Sequence, residues 1–158
     1  MVDKSEDFLR EARLVVYPRA KVRFEARDLN TGLPPLAPSS FDGVLFNGAF
    51  HFISDKARRL REIHRVLRPG GLLVIGHCFC RSGFDDERMH DLYFSMMANE
   101  AWPVTFEELR SLVADHGFQE FRRYHRGSHS YLIAERLPGT LPLAEPLGEP
   151  VAVKGIGG

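Results

Sequence analysis

Residues 41–76, FDGVLFNGAFHFISDKARRLREIHRVLRPGGLLVIG, constrain the fold more than any other part of the chain. Phe41 to Phe46 predicts a short buried strand, with the polar Asn47 and Gly48 at its end. Leu60, Ile63 and Leu67 recur at helical spacing, which predicts a helix from about Lys56 to Leu67 with one buried stripe. Pro69-Gly70-Gly71 stops that helix and delivers the chain into Leu72-Leu73-Val74-Ile75. This second strand is apolar throughout, as expected of a parallel strand covered on both faces. Strand, helix and strand with short joints imply a right-handed parallel crossover, the unit from which doubly wound α/β sheets are built.

The flanking segments extend the pattern. Ser5 followed by Glu6 and Asp7 is a helix start, and Phe8, Ala12 and Val15 continue it to about residue 15 before Pro18. Val22, Phe24 and Ala26 alternate with Arg23 and Glu25 as in a half-covered strand, and Pro34, Pro35 and Pro38 make 28–40 a loop. Leu92, Tyr93, Met96 and Met97 have helical spacing and suggest a lid-like helix within 83–99. Met89, Phe94 and Trp102 surround it, a composition that suits plain packing or a dimer contact as well as a lid. Thr105-Phe106-Glu107-Glu108 is a capping box that opens a helix to His116, stopped by Gly117. Two strands near 118–125 and 129–135 flank Arg126-Gly127-Ser128 as an antiparallel hairpin. The domain is expected to span residues 1–136. Residues 137–158, with prolines at 138, 142, 146 and 150, form either a disordered tail or an extended arm.

Charge and composition exclude some functions. Lysine and arginine balance aspartate and glutamate at 21 each, so no net field draws the chain to nucleic acid or an anionic membrane. Arg58, Arg61, Arg65 and Arg68 form a basic stripe that reads first as a solvated helix face. No run reaches membrane-spanning length and the N-terminus is charged, which predicts a soluble, cytoplasmic protein without a membrane partner. His77, Cys78 and Cys80 form a tight H-C-x-C cluster near Asp85, Asp86 and His90. Structural zinc sites use two separated ligand pairs, and neighbours on a strand point to opposite faces, so no metal site is expected here.

On Val22-Arg23-Phe24 with Asp28, Leu33-Pro34, Phe41-Asp42-Gly43-Val44, His51-Phe52 and REIHRVLRPGG, the chain resembles the class I S-adenosylmethionine-dependent methyltransferases of the small-molecule type. Thr105-Phe106-Glu107-Glu108-Leu109, Ala114-Asp115-His116-Gly117-Phe118 and the closing hairpin fit the same family, so the resemblance covers about 5–136. It implies an α/β fold: a truncated Rossmann-like sheet, mostly parallel, with a C-terminal antiparallel hairpin. In that family a first strand and its glycine-rich loop hold the methionine end of the cofactor, and an acid ending the second strand holds the ribose hydroxyls. Both strands and the loop are expected to be missing, with the chain beginning at the helix after the second strand. The family would place Asp28 against the adenine with Leu29 beside the ring, and Asn47 facing cofactor and substrate.

His51, in the loop after the fourth family strand, is the candidate catalytic base for a hydroxyl or thiol acceptor, although packing the loop is its plainer role. S-adenosylmethionine is the cofactor by resemblance only, bound weakly or not at all by this chain alone. The family's first two strands lie between its third and fourth, so their loss opens a sheet edge at Phe41–Phe46. A homodimer or a separate partner chain is expected to close that edge, with a rearranged monomeric sheet as the alternative. Val44 and Leu45 are expected to be buried, so that lysine at either breaks folding and assembly. Three functions are compatible with this reading: a methyltransferase-like protein unable to bind cofactor alone, half of a split or repurposed methyltransferase completed by a partner, and a non-catalytic regulatory subunit.

Overall fold

The computed structural model describes residues 1–15, 21–77, 95, 101–102, 104–126 and 129–139. In chain order the elements are β1 (Val2–Asp3), α1 (Glu6–Arg13), β2 (Glu25–Ala26), β3 (Phe41–Asn47), a 3-10 turn (Phe50–Phe52), α2 (Lys56–Val66), β4 (Leu67–His77), α3 (Phe106–Asp115), β5 (Phe118–Arg126) and β6 (His129–Arg136). Among the described residues no helix is long and apolar enough to cross a membrane.

Two sheets form. β3, β4, β6 and β5 make a four-stranded sheet in that order, while β1 and β2 make a separate parallel pair. β3 and β4 are parallel, joined through α2 as the crossover requires, and the β5–β6 hairpin adds antiparallel strands on the far side of β4. This is the expected Rossmann-like α/β sheet with its C-terminal hairpin. The family's third and fourth strands, here β2 and β3, do not collapse together. The expectation that the chain starts at a helix missed a strand: β1 precedes α1 and pairs Val2 with Glu25 and Asp3 with Ala26. Two residues cannot display a periodicity, which is why β1 was not legible.

β4 is longer than expected and its covering is different. Phe41 faces Leu67 and Gly43 faces Leu72, so residues 68–71 bulge out of the ladder instead of preceding it. Gly70 has a φ of 76°, and a Cβ on Gly71 would lie 2.9 Å from the Arg68 carbonyl oxygen, so the bulge requires glycine at both positions. Leu73 and Ile75 are buried, whereas Leu72 on the opposite face is exposed and Val74 half-buried. Among the described residues the covering of β4 is therefore one-sided. α2 and α3 both pack on the Leu73 and Ile75 face, where Leu60, Ile63, Leu109, Val113, Phe118 and Leu132 complete the core.

Helix ends follow local chemistry. Ser5 Oγ accepts from Phe8 N at 3.1 Å, and Thr105 and Glu108 form the reciprocal capping box. Asp55, not singled out from sequence, caps α2 through Arg58 N at 2.8 Å. The arginines of the expected basic stripe do more than face water, and Arg68 falls in β4. Arg65 donates to the Leu36 carbonyl at 2.8 Å, Arg68 pairs with Asp42 at 2.8 Å, and Arg59, outside the stripe, is buried against Glu62. Arg136, also buried, donates to the Leu67 carbonyl, to Ser39 Oγ at 3.2 Å and to His64 Nε2 at 3.5 Å. That contact ties the end of β6 to the loop before β3 and the start of β4.

Candidate functional site

The loops at the carboxyl ends of β1, β2 and β3 meet around one cavity of about 440 Å³. Asp3, Asp28, Leu29, Asn47, Gly48, Phe52 and Trp102 are among its walls. The structure thus brings together Asp28, Leu29 and Asn47, the expected cofactor-binding residues. Asp3 joins them from the end of β1. It had no sequence signal as a site residue because its strand was not recognised. The usable clue was its place two residues before the Ser5 cap, where a strand-ending acid meets a helix start.

Each carboxylate is held by its own turn. Asp3 Oδ1 accepts from Ser5 N at 2.8 Å, and Asp28 Oδ1 accepts from Asn30 N at 2.8 Å. Fixing one oxygen of each group orients both carboxylates, and Lys4 and Arg27 line the same cavity. Asn30, also in the cavity wall, is held from the other side: its Nδ2 donates to the Phe52 carbonyl at 2.9 Å and its Oδ1 accepts from Ser54 N at 2.9 Å. The loop after β2 is thereby locked to the loop after β3. Gly48, at φ 70°, turns the chain out of β3 and donates to the Gly76 carbonyl at 2.7 Å, which sets Asn47 at the rim.

His51, the candidate base, lies back from the cavity. It lies in the 3-10 turn at 3% exposure, with its ring 3.9 Å from that of Phe52, and is not among the residues lining the cavity. Its carbonyl accepts from Trp102 N at 2.7 Å. Trp102, 46% exposed, stands at the cavity wall and is held from both sides, since Lys56 Nζ donates to its carbonyl and to that of Ile53 at 2.7 Å.

Lys56 is buried at the start of α2, and burial pushes its ammonium down from 10.5 to about 8. A depressed folded value means that the charged form is penalised below pH 8 and the penalty vanishes above 10.5. The wild-type chain should therefore gain stability relative to Lys56→Met as pH rises from about 8 to 10.5. Urea midpoints of the two proteins across that window check this, and parallel curves would show that the ammonium is not desolvated.

A second cavity of about 480 Å³ runs along the outer edge of β3, lined by Phe41, Gly43, Val44, Leu45, Phe46, Leu33, Leu36, Val66 and others. It shares Val2, Asp3, Phe8, Leu29, Asn47 and Ala49 with the first, so the two form one trench. Apolar at the β3 edge and charged at the strand ends, where Lys4 and Arg27 accompany Asp3 and Asp28, the trench separates β1 from β3. Leu45 is 66% exposed there, which corrects the expectation that it is buried; only Val44, half-buried, packs on the core. Alternation along the strand explains this, because Phe46 and Val44 share the covered face and Leu45 takes the other. Lysine at 45 is compatible with folding.

Among the described residues no cluster of three or more metal-ligating side chains occurs. Cys78, Cys80, Asp85, Asp86 and His90, the lid segment with Met89, Tyr93, Met96 and Met97, and the tail from 140 onward lie outside the described residues.

Comparison with known proteins places this geometry. A family model described as a methyltransferase domain matches residues 1–75. An arsenite methyltransferase of Halobacterium salinarum is 27% identical over 118 residues, 75% of this chain and 30% of that protein. A malonyl-[acyl-carrier protein] O-methyltransferase of Coxiella burnetii is 50% identical over 40 residues, 25% of this chain and 14% of that protein. The chain thus spans less than a third of the length of these curated relatives. A Haloferax volcanii structure, a complex of the Trm112 methyltransferase activator with a candidate methyltransferase, superposes with a TM-score of 0.73 at 16% identity, covering 87% of this chain and 71% of that one. That likeness is one of fold. Family match, sheet order and the cavity at the strand ends agree: the chain carries the class I S-adenosylmethionine-dependent methyltransferase-like fold.

Proposed function

We propose that this chain is a methyltransferase of the S-adenosylmethionine-dependent kind whose described residues hold the nucleoside end of the cofactor, and whose site is completed by a further strand at the open β3 edge. The observation that carries the reading is the trench, because it joins a β3 edge left unpaired among the described residues to a cavity at the strand ends that Asp3 and Asp28 line. Two fixed carboxylates, an apolar side chain and a carboxamide suit a nucleoside. By resemblance Asp3 takes the ribose hydroxyls, Asp28 the adenine edge, Leu29 the ring face and Asn47 the rim shared with the acceptor. The methionine end needs backbone donors at a glycine-rich turn, which the described residues around the cavity do not supply. When bound, the cofactor supplies an electrophilic methyl group; the chain's residues orient it and exclude water. Completion by another polypeptide, a partner chain or a second copy, is supported by the Haloferax volcanii fold being solved with an activator protein.

Calorimetric titration with adenosine and with S-adenosylmethionine tests the half-site. Asp3→Asn and Asp28→Asn keep the acceptor oxygen of each turn and remove the charge. Each should weaken nucleoside binding roughly tenfold, the worth of a charge-assisted hydrogen bond. Asp42→Asn, remote from the cavity, should leave it unchanged. Equal affinities for all four proteins would remove Asp3 and Asp28 from the site.

A further inference from the structure

Trp102, the chain's one tryptophan, is 46% exposed in the wall of the cavity that Asp28 and Leu29 also line. Its backbone is fixed at both ends. The N–H donates to the His51 carbonyl at 2.7 Å, and the carbonyl accepts from Lys56 Nζ. The same ammonium donates to the Ile53 carbonyl at 2.7 Å, so Lys56 bridges the loop after β3 to the residues that precede α3. We propose that Lys56 is a positioning residue for ligand binding, holding Trp102 so that its indole forms a stacking wall of the cavity for a planar ring. The proposal rests on the half-site reading above, in which that ring is the nucleobase, and adds to it a stacking residue and the group that supports it.

An ammonium at this position costs the fold stability. Lys56 is 7% exposed, burial alone lowers its pKa, and among the described residues no carboxylate is paired with it. The Phe50 ring, with its centroid 5.8 Å from Nζ, offsets part of that cost. The helix has no use for the charge. Lys56 is the first residue of α2, the end of the dipole that disfavours a cation, and Asp55 already caps that end. What the charge secures is two carbonyls, one of them that of Trp102. A methionine would fill a similar volume without the desolvation, yet it would take the donor from both acceptors.

The surroundings of Trp102 suit a planar ring. Leu29 and Phe52 line the same cavity, and Asp28 is oriented by its own turn. Asp28 and Leu29 come from the loop after β2, whereas Trp102 enters from the residues before α3, so a ring bound between them is enclosed by two separate segments. Stacking on an indole needs only a π face, so Trp102 supplies affinity and the fixed Asp28 carboxylate supplies selectivity. Clamping the Trp102 backbone in advance reduces the entropy lost when the ligand orders the indole.

Calorimetric titration of the full-length chain with adenosine, at about pH 7 where the ammonium is charged, tests the proposal through a double-mutant cycle. Trp102→Ala should weaken adenosine binding roughly tenfold, as removal of a stacking face does, while Trp102→Phe keeps most of the affinity. Lys56→Met should weaken binding in the wild-type background and not in Trp102→Ala, because Lys56 acts through the indole. Losses that add in the double variant would overturn the positioning role, since a general effect on the fold persists without the indole. So would full affinity in Lys56→Met. Emission of the single tryptophan gives an arm without ligand. Iodide quenching should rise in Lys56→Met and stay near the wild-type level in Lys56→Gln, which keeps an N–H donor; equal quenching in all three proteins would show that Lys56 does not hold Trp102. Losses in Asp3→Asn and Asp28→Asn with none in Trp102→Ala would keep the half-site and remove the stacking wall. The reverse pattern would keep the wall and remove the half-site, and a wild type that binds no adenosine would overturn both.

Discussion

Glu62→Ala should lower stability by about 3–5 kcal/mol, because it strands a buried guanidinium. Arg59 is 1% exposed, and burial already pulls its pKa down despite the opposing pull of Glu62. Glu62 holds Arg59 Nη1 with Oε2, and the same oxygen accepts from Leu33 N at 3.0 Å. Removing the carboxylate therefore leaves both a desolvated cation and a loop amide without an acceptor. Arg59→Met is expected to cost far less, since Glu62 is partly exposed and keeps its bond to Leu33. Arg59→Met combined with Glu62→Leu should fall nearer the wild type than Glu62→Ala does. Urea unfolding of the three variants gives the comparison. If Arg59→Met proved more costly than Glu62→Ala, packing by the arginine stem would outweigh its charge.

The second large effect concerns Gly76, opposite Tyr131 in the antiparallel ladder. A Cβ at this position would sit 2.1 Å from Tyr131 Cε1 and 2.3 Å from Cδ1, so the phenol ring lies flat over the glycine. Gly76→Ala forces the ring away and should cost about 1–3 kcal/mol, as overpacking does. In a Tyr131→Ala background the same substitution should cost little, because the clashing ring is gone. An equal cost in both backgrounds would place the strain in the backbone. The substitution also reaches the site, since the Gly76 carbonyl accepts from Gly48 N behind Asn47. Binding of adenosine should weaken in the single variant and recover in the double.

The parts legible in the sequence were those whose cause is local. The helical pair Leu60 and Ile63, the Thr105 capping box and the closing hairpin each need only neighbours within a turn or a strand, and each appears where expected. Asp28, Leu29 and Asn47 were legible through resemblance and do share a cavity. For His51 the sequence left two fates open, and the structure adds its burial in the turn between Phe50 and Phe52. Asp3 and the buried Arg59–Glu62 pair were missed for a related reason. Their significance lies in partners about 20 to 30 residues away, Ala26 for Asp3 and Leu33 for Glu62.

The sequence by itself determined the order of elements from α1 onward and the starts of the helices, because hydrogen bonding and side-chain spacing along one segment suffice for these. It determined the crossover from β3 through α2 to β4, which short joints leave little freedom to build otherwise. Only the tertiary structure decided that β2 stays apart from β3, that Leu45 faces the trench and that Asp3 stands beside Asp28. These follow from which strand edges meet, and edge pairing depends on contacts between distant segments that no local pattern records.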